Sequence, residues 1–470
     1  MIEKSDLIAL SSRLDAADDA DVGALYDEIV GMLNVEPDDH RLRYLYGAVA
    51  NRARQFGLAK SVLEPMLRTH GNWGALRMTY GLVLDAIGEY EQALEHYSVA
   101  ERDKLVTRDN LAANRASAYL KLGRYDDAYR TLITVVDNCK TDDVIHNVQT
   151  NMAFACIALG DLEQGWRWYE GALGTPQRGL TDFGVPRWDG SKDARVLVYP
   201  EQGLGDEIMY LGMLPELIAV TAAVAVECDP RLSLLFKRSF PGVKVAGSRH
   251  SKGPKPWVEE FAPTHQLAMG SLPKFFRPTK DDFKKQPQGY LKENGAYAAM
   301  YESLVHTTAG NSQPYGNREI IGIAWSGGRY NTQEKRREIP LSAFAPLIEK
   351  YPNAIFVSLQ YRKGAAEEIE LSGLPIQHHE FATGLGASYD HTAAMIAACT
   401  RIIATDTTAI HAAGAMGVRV DCLLNTPCMW VHAPWHNDQS AWYPSVKLRR
   451  KPEDMEWPRY INHLVSQGLL

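Results

Sequence analysis

Residues 405–411, with the sequence TDTTAIH, combine hydroxyl, carboxylate and imidazole groups where a helix is predicted to begin. Asp406, Thr407 and Thr408 have short side chains that can cap free backbone N–H groups at such a position. The positive end of the helix dipole points to the same place, so a helix start of this kind favours an anion, most naturally a phosphate. His411 lies four residues after Thr407 and can add a donor on the same helix face. The alternative is a capped helix in an α/β core with a packed histidine.

The flanking residues predict the elements that position this segment. An apolar strand is predicted over 401–404, a small-residue helix over 409–416, ended by Gly417, and a second apolar strand over 418–424. A strand, a helix and a strand at this spacing form a βαβ unit in a parallel sheet.

A second candidate turn has the sequence QGLGD at 202–206 and follows a strand predicted over 194–200. Asp206 places a carboxylate at the carboxyl end of that strand, where open α/β sheets bind ligands. The third glycine of a dinucleotide-binding fingerprint is replaced by Ile208, which disfavours a nicotinamide-dependent oxidoreductase. The alternative for Asp206 is an ordinary helix N-cap.

A third turn closes a strand predicted over 319–328 and contains Ser326 and Gly327. Arg336 and Arg337 follow closely in the sequence. Arg337 would clamp a phosphate if it pointed into a cleft, because a guanidinium matches the geometry of phosphate oxygens. The alternative is a solvated surface arginine.

Strands that alternate with helices predict two Rossmann-like domains, over 194–312 and 313–445. The stretch 173–193 is rich in glycine and proline and is interpreted as a joint between domains. The final residues, 446–470, predict a loop and a closing helix over about 457–467.

Residues 1–172 carry an internal repeat. Gly88, Gly123 and Gly160 each follow an apolar residue and precede a charged one, at separations of 35 and 37 residues. This pattern resembles the tetratricopeptide repeat (TPR), which has two antiparallel helices in about 34 residues.

Small and large residues recur at fixed distances around each of these glycines, as with Gly81 and Tyr97 around Gly88. Gly57 marks a weaker repeat 31 residues before Gly88, and a helix over 22–33 is interpreted as a half-unit. Four repeats and a half-unit would form a concave surface that binds a protein or peptide. The alternative is a spacer or dimerisation module.

Composition narrows the class of protein. The chain has 470 residues, too many for one core, so two or three domains are expected. The formal net charge of −7 gives no electrostatic case for nucleic acid. Six scattered cysteines without a CxxC pair favour reduced thiols in a cytoplasm. We expect no signal peptide, and the most apolar run, 217–226, is too short to span a membrane.

Four segments in the second half resemble bacterial TPR-containing glycosyltransferases, whose C-terminal halves are similar to ADP-heptose:lipopolysaccharide heptosyltransferases and, more distantly, to O-GlcNAc transferases. The segments are EQGLGDEIMYLGMLP, GIAWSGGRYNTQEKRREIPL, FVSLQ, and TDTTAIHAAGAMGVRV with AWYPS downstream, spread over about 194–450. The resemblance implies helical repeats followed by a GT-B fold, in which two Rossmann-like domains face each other across a cleft.

The resemblance also implies a role for individual residues. The catalytic base corresponds to Asp206, and Arg337 is the basic residue beside the departing diphosphate. The donor-binding residues are Ser326, Gly327, Gln360, Asp406, Thr407, Thr408 and His411. The acceptor-side turn comprises Gln202, Gly203 and Gly205. The stretch GRYNTQEKR departs from the shorter pattern usual in relatives and leaves the nucleotide open among UDP, ADP, GDP and CMP.

The resemblance implies a nucleotide sugar as donor and no requirement for a metal. With the residues above, it predicts an inverting glycosyltransferase, and we expect a cytoplasmic location. The repeats favour a protein as acceptor, although a polysaccharide or a lipid-linked sugar also fits. The alternative is a catalytically inactive TPR scaffold with a nucleotide-binding α/β half.

Overall fold

The computed structural model describes residues 4–16, 21–103, 106–139, 142–175, 178–310, 318–327, 337–383 and 388–470. The chain divides into two compact units, Met1–Cys156 and Ile157–Leu470. The described part of the first unit is helical, and α9 runs three residues past its end. The helices are α1 (Lys4–Ala16), α2 (Asp21–Val35), α3 (His40–Arg52), α4 (Phe56–Met66), α5 (Gly74–Ile87), α6 (Tyr90–Ala100), α7 (Arg108–Lys121), α8 (Tyr125–Leu132) and α9 (Asp142–Leu159).

The helices of the first unit pack as consecutive pairs, α3 with α4, α5 with α6 and α7 with α8. Gly88 and Gly123 end the first helix of two pairs with φ angles of 93° and 71°, in the left-handed region that favours glycine. Small residues let the paired helices approach closely, since a Cβ at Gly81 would lie only 2.5 Å from Tyr97 Cε1. The predicted TPR-like architecture is therefore confirmed.

The weaker repeat is present as the pair α3 and α4, but Gly57, which marks it in the sequence, does not form its turn. Gly57 lies inside α4, whereas Arg54, with a φ of 59°, holds the left-handed position two residues before that helix begins. Gly88 stands at the same distance before α6. Because an arginine fills this position, the sequence carries no glycine to mark it.

The second unit contains two sheets with helices around them. Its helices are α10 (Leu162–Tyr169), α11 (Leu204–Tyr210), α12 (Leu214–Val220), α13 (Ser233–Ser239), α14 (Pro256–Phe261), α15 (Leu272–Phe276), α16 (Gly295–Thr308), α17 (Ala345–Lys350), α18 (Ala365–Ser372), α19 (Asp390–Ala398), α20 (Thr408–Ala415) and α21 (Trp457–Ser466). Its strands are β1 (Arg195–Tyr199), β2 (Ala223–Glu227), β3 (Lys244–Ala246), β4 (His265–Ala268), β5 (Ile320–Ala324), β6 (Ile355–Ser358), β7 (Ile376–His378), β8 (Arg401–Thr405), β9 (Val420–Leu424) and β10 (Val446–Arg450).

Both sheets are parallel throughout the described strands. The first has the order β3-β2-β1-β4, and the second has the order β10-β9-β8-β5-β6-β7. In the first sheet the strand order reverses at β1, and in the second it reverses between β5 and β8. Ligands of doubly wound sheets bind outside the carboxyl ends of the strands at such switch points. The turns after β1, β5 and β8 are therefore where a ligand is expected.

The two sheets are held together near the end of α20. The backbone N–H groups of Tyr290 and Leu291 both donate to the carbonyl of Ala415, at 2.7 and 2.9 Å. Arg238 on α13 also pairs with Asp390 on α19, with Nη1 3.3 Å from Oδ2. The predicted fold class, repeats followed by two Rossmann-like domains, is confirmed by this architecture.

Short strands account for most of what the sequence patterns did not predict in this unit. β3, β4 and β7 have three or four residues each, too few to show an apolar period. β10 lies within the tail predicted over 446–470, and it extends the second sheet before α21 begins. α16, placed by sequence in the first Rossmann-like domain, packs against α19 of the second.

Aromatic side chains join α10 to both sheets. The ring of Trp166 lies 6.1 Å from Trp430 and 6.3 Å from Trp442, measured between centroids. Trp442 in turn contacts Phe283, at 4.8 Å. Trp188 packs on Phe275 at 4.5 Å. The joint predicted from its aromatic residues is therefore packed, and none of the described helices is both long and apolar enough to cross a membrane.

Candidate active site

Asp206 lies at the third position of α11, just beyond the carboxyl end of β1. Gly203 caps that helix, and its N–H donates to Asp206 Oδ2 at 2.9 Å. The carboxyl is partly buried. Burial raises the pKa of Asp206 to about 6, with further increases from Glu201 and Asp406, while the Gly203 N–H and Arg337 act in the opposite direction. A carboxyl with this pKa can take up a proton near neutral pH.

The turn after β1, which contains Gly205, lies directly against α20. A Cβ at Gly205 would be 2.9 Å from Cδ2 of His411, closer than real Cβ atoms approach. Glycine is therefore required for the two helices to meet as they do. This contact brings the turn after β1 and the turn after β8 into one site.

The first turn of α20 is free of side-chain caps. Thr407 is the N-cap residue, but its side chain accepts no hydrogen bond from the helix. Its hydroxyl is buried and has no hydrogen-bond partner among the described residues. The prediction that the side chains at 406–408 cap this helix is wrong for Thr407, because the side chain does not turn back to the helix. Thr408, the first residue of α20, is partly exposed, and the unpaired N–H groups of the first turn remain available to an anion.

Asp406 faces two histidines and an arginine instead of capping the helix. Its Oδ1 lies 3.2 Å from His432 Nε2 and 3.7 Å from His411 Nε2. Its Oδ2 lies 3.9 Å from Arg337 Nε. Burial alone would raise the pKa of Asp406, but His432, Arg337 and His411 outweigh it and hold the pKa below the ordinary value. The carboxylate is therefore ionised and orients the groups around it.

His411 is buried and neutral at physiological pH. Burial lowers its pKa to about 4, against the opposing effect of Asp406. Its Nδ1 lies 3.0 Å from the hydroxyl of Tyr443. This neighbour fixes the ring, so His411 can offer a hydrogen bond but not a positive charge.

The turn after β5 is shaped by Gln360. The Gln360 Oε1 accepts from the N–H groups of Trp325 and Ser326 at 3.1 and 3.0 Å, and its Nε2 donates to the Ser326 carbonyl at 2.9 Å. These bonds occupy the amide, so Gln360 holds the turn in place. Gly327 lies against the turn after β8, since a Cβ there would be 2.4 Å from Thr407 Cγ2. Residues 328–336, with the sequence GRYNTQEKR and the predicted Arg336, lie outside the described residues.

Arg337 reaches the turn after β8. Its Nη1 donates to the Asp406 carbonyl at 3.4 Å, and Nη2 contacts the sulfur of Met429. The side chain is 16% exposed, and its Nε has no hydrogen-bond partner among the described residues. The guanidinium thus faces the same cluster as Thr407 and His411.

Sequence reasoning missed several residues that complete the site. Tyr443 falls within the quoted AWYPS segment, but His432 lies 26 residues after Asp406 in a stretch without a recognised motif. Glu201 and Arg178 form a buried ion pair, with Nη2 3.0 Å from Oε1. No spacing in the sequence indicates this pair, because its partners come from the joint and from the end of β1.

The sequence is similar to protein FlbA of Caulobacter vibrioides, with 27% identity over 409 residues. The match covers 83% of this chain and 66% of the relative, slightly less than two thirds of its length. No protein-family profile matches the sequence.

Solved structures with a similar backbone include two kinds of transferase and a repeat protein. Escherichia coli ADP-heptose LPS heptosyltransferase II is 14% identical, covering 59% of this chain and 100% of that one, with a TM-score of 0.40. Thermobaculum terrenum O-GlcNAc transferase is 14% identical over 99% and 91% of the two chains, with a TM-score of 0.34. A TPR protein of Thermus thermophilus is 19% identical over 36% and 90%, with a TM-score of 0.31. These are the kinds of protein that the motifs resemble, but with TM-scores this low the fold is assigned from the chain's own strand order and helix pairs.

Proposed function

We propose that this protein is an inverting glycosyltransferase of the GT-B type, which transfers a sugar from a nucleotide sugar to an acceptor hydroxyl without a metal ion. The observation that supports this most is the contact between Gly205 and His411. It brings a carboxyl with a pKa of about 6 next to the uncapped start of α20. In this proposal, a proton acceptor and an anion site lie side by side.

The leaving group is proposed to bind at the start of α20. As the bond between the anomeric carbon and the phosphate oxygen breaks, negative charge grows on the diphosphate and positive charge on the sugar ring. The N–H groups of Thr408 and Ala409, the Thr407 hydroxyl and the Arg337 guanidinium are suited to meet that charge. The Ser326 N–H is not a candidate, because it already donates to Gln360.

The acceptor is proposed to be activated by Asp206. The acceptor oxygen forms a bond to the anomeric carbon, its proton passes to the Asp206 carboxylate, and the nucleotide departs from the opposite face. A single displacement of this kind inverts the configuration at the anomeric carbon. General base catalysis contributes about 100- to 10,000-fold to such reactions.

The decisive experiment combines ligand binding with transfer. We expect one of UDP, ADP, GDP or CMP to bind with micromolar affinity by calorimetry, and the matching nucleotide sugar to be consumed in the presence of EDTA. Asp206→Asn should lower turnover by about 100-fold or more while the nucleotide still binds. Asp281→Asn is the matched control, because its side chain is 84% exposed.

A donor-binding Asp206→Asn variant with full turnover would refute the base assignment. Loss of activity with EDTA that is restored by a divalent cation would refute metal independence. If no nucleotide binds, the scaffold alternative is favoured.

The acceptor is proposed to be a protein held by the repeats, since stacked helix pairs form extended surfaces of the kind that bind peptides. Transfer of a radiolabelled sugar in a lysate of the source cells would identify its class. We expect the label in protease-sensitive material that remains in the aqueous phase. Label in the organic extract or in protease-resistant polymer would show a lipid-linked sugar or a polysaccharide instead.

A further inference from the structure

Two side chains that precede β1 contact the turn that carries Asp206. Tyr169, the last residue of α10, donates its hydroxyl to Gln202 Oε1 at 2.9 Å. Arg178, from the joint, donates to Glu201 Oε1 from Nε at 3.2 Å and from Nη2 at 3.0 Å. Glu201 and Gln202 lead directly into the helix that bears Asp206. The turn is thus fixed by residues outside both sheets.

Arg178 is enclosed on all sides. Its side chain is 1% exposed, and it also donates to the Tyr169 carbonyl at 2.7 Å and to the Ser271 hydroxyl at 3.2 Å. Glu201 Oε1 accepts a further hydrogen bond from the Gly270 N–H at 2.8 Å. A buried ion pair stabilises a fold little compared with apolar residues of the same volume, but it restricts its partners to one geometry. The network therefore fixes the position of the backbone at 201–202.

We propose that Tyr169 and Arg178 are positioning residues for Asp206, which hold the acceptor-side turn at its place against α20 through Gln202 and Glu201. This inference rests on the proposed function and deepens it. It makes the last repeat helix and the joint part of the catalytic apparatus. Neither residue takes part in the bonds that form and break during the transfer.

The charges around Asp206 give this role a measurable signature. The ionisable groups that face it are Glu201, Asp406, Arg337 and the phenols Tyr169, Tyr210 and Tyr443. Of these, the Glu201 carboxylate is held in place by Arg178 and opposes ionisation of Asp206. Removing its charge should therefore make Asp206 easier to ionise.

The test uses the full-length protein with two conservative variants. Tyr169→Phe deletes only the hydroxyl, and we expect kcat for consumption of the nucleotide sugar to fall by roughly three- to a hundredfold, with the Kd of the nucleoside diphosphate unchanged. Glu201→Gln keeps the hydrogen-bond acceptor and should move the acidic limb of the kcat–pH profile to lower pH. Tyr97→Phe is the matched control, because it removes a buried hydroxyl with no partner among the described residues, and it should leave kcat unchanged.

Folded variants with wild-type kcat and an unshifted acidic limb would overturn the inference while the proposed function stands. A parallel loss of kcat and nucleotide affinity would also overturn it, since that pattern indicates general damage to the fold. A wild-type protein that binds no nucleotide and consumes no nucleotide sugar would overturn the proposed function itself, and the inference with it.

Discussion

Gly205 and His411 lie in contact across the two Rossmann-like domains, and the space between them excludes even a methyl group. A Cβ on Gly205 would stand 2.9 Å from Cδ2 of the imidazole. The His411 ring is held in this position by a hydrogen bond between Nδ1 and the Tyr443 hydroxyl, at 3.0 Å. The proposed proton acceptor and the proposed phosphate site can therefore lie this close together only because Gly205 has no side chain.

Gly205→Ala should force the two turns apart. We expect a loss of at least tenfold in kcat and about 1–3 kcal/mol in the free energy of unfolding, because the extra methyl overpacks a rigid contact. Gly295→Ala is the control, since a Cβ at Gly295 would meet nothing within 4 Å. Turnover and urea denaturation of both variants would check this. Wild-type activity in Gly205→Ala would mean that the cleft separation is not critical.

The pH dependence of turnover should report Asp206. Because burial raises the pKa of this carboxyl to about 6, it is protonated below that pH and cannot act as a base. We expect kcat to fall tenfold per pH unit on the acidic side of about pH 6. The limb should be missing from the residual activity of Asp206→Asn. An acidic limb near pH 4 in the wild type would indicate that an ordinary carboxyl is responsible.

The Asp206 carboxyl should also make the stability of the fold depend on pH. Its contribution should fall as the pH rises, whereas that of a salt-bridged aspartate increases. Its folded pKa, about 6, is above the ordinary value of 3.8, so its contribution to stability is present below pH 3.8 and is lost as the pH rises through 6. Asp206→Asn does not ionise. We therefore expect the Tm of Asp206→Asn to rise relative to that of the wild type as the pH is raised from 4 to 7, as measured by calorimetry. A Tm difference that does not change with pH would show that the carboxyl is not buried in solution.

Local patterns in the sequence were sufficient to predict the elements that position the site. Apolar runs located β1, β5 and β8, and the polar residues that follow them located Asp206, Ser326 and Asp406. Ser326 and Asp406 lie close together because β5 and β8 are neighbouring parallel strands that end at one edge of the second sheet. Asp206 comes from the first sheet and is brought to them where Gly205 meets His411. The repeats were predicted by their glycines, two of which hold a left-handed backbone before a second helix, whereas in the weaker repeat Arg54 takes that conformation without glycine.

The orientation of individual side chains could not be predicted in this way. Asp406 has a suitable position for a helix cap, yet it faces His432 and Arg337, which come from distant parts of the chain. Gln360 was predicted as a donor-binding residue, a role that remains a proposal, and its amide is occupied by the turn after β5. Each outcome depends on partners that only the tertiary fold supplies.

Gln360→Leu should disturb that turn. The substitution leaves the buried N–H groups of Trp325 and Ser326 without acceptors, so we expect the free energy of unfolding to fall by about 2–4 kcal/mol. Nucleotide affinity should weaken as well, because Gly327 in the same turn lies against Thr407. Gln92→Leu on α6 is an exposed control and should change stability by less than about 0.5 kcal/mol. Unaltered denaturation of Gln360→Leu would contradict the assigned hydrogen bonds.

Arg337→Met tests the charge proposed to meet the leaving diphosphate. The side chain is largely buried, and its Nε has no hydrogen-bond partner among the described residues, so a bound phosphate could engage it directly. We expect the Kd of the preferred nucleoside diphosphate to rise by about 10- to 100-fold, since charge-assisted hydrogen bonds contribute about 1.5–3 kcal/mol. The affinity of the variant should also depend less on salt concentration, because one cationic contact is gone. Calorimetry at two ionic strengths would measure both effects, with the exposed Arg102→Met as control. If Arg337→Met binds the diphosphate as tightly as the wild type, Arg337 is held by Asp406 for a structural reason and the leaving group is met by the start of α20 alone.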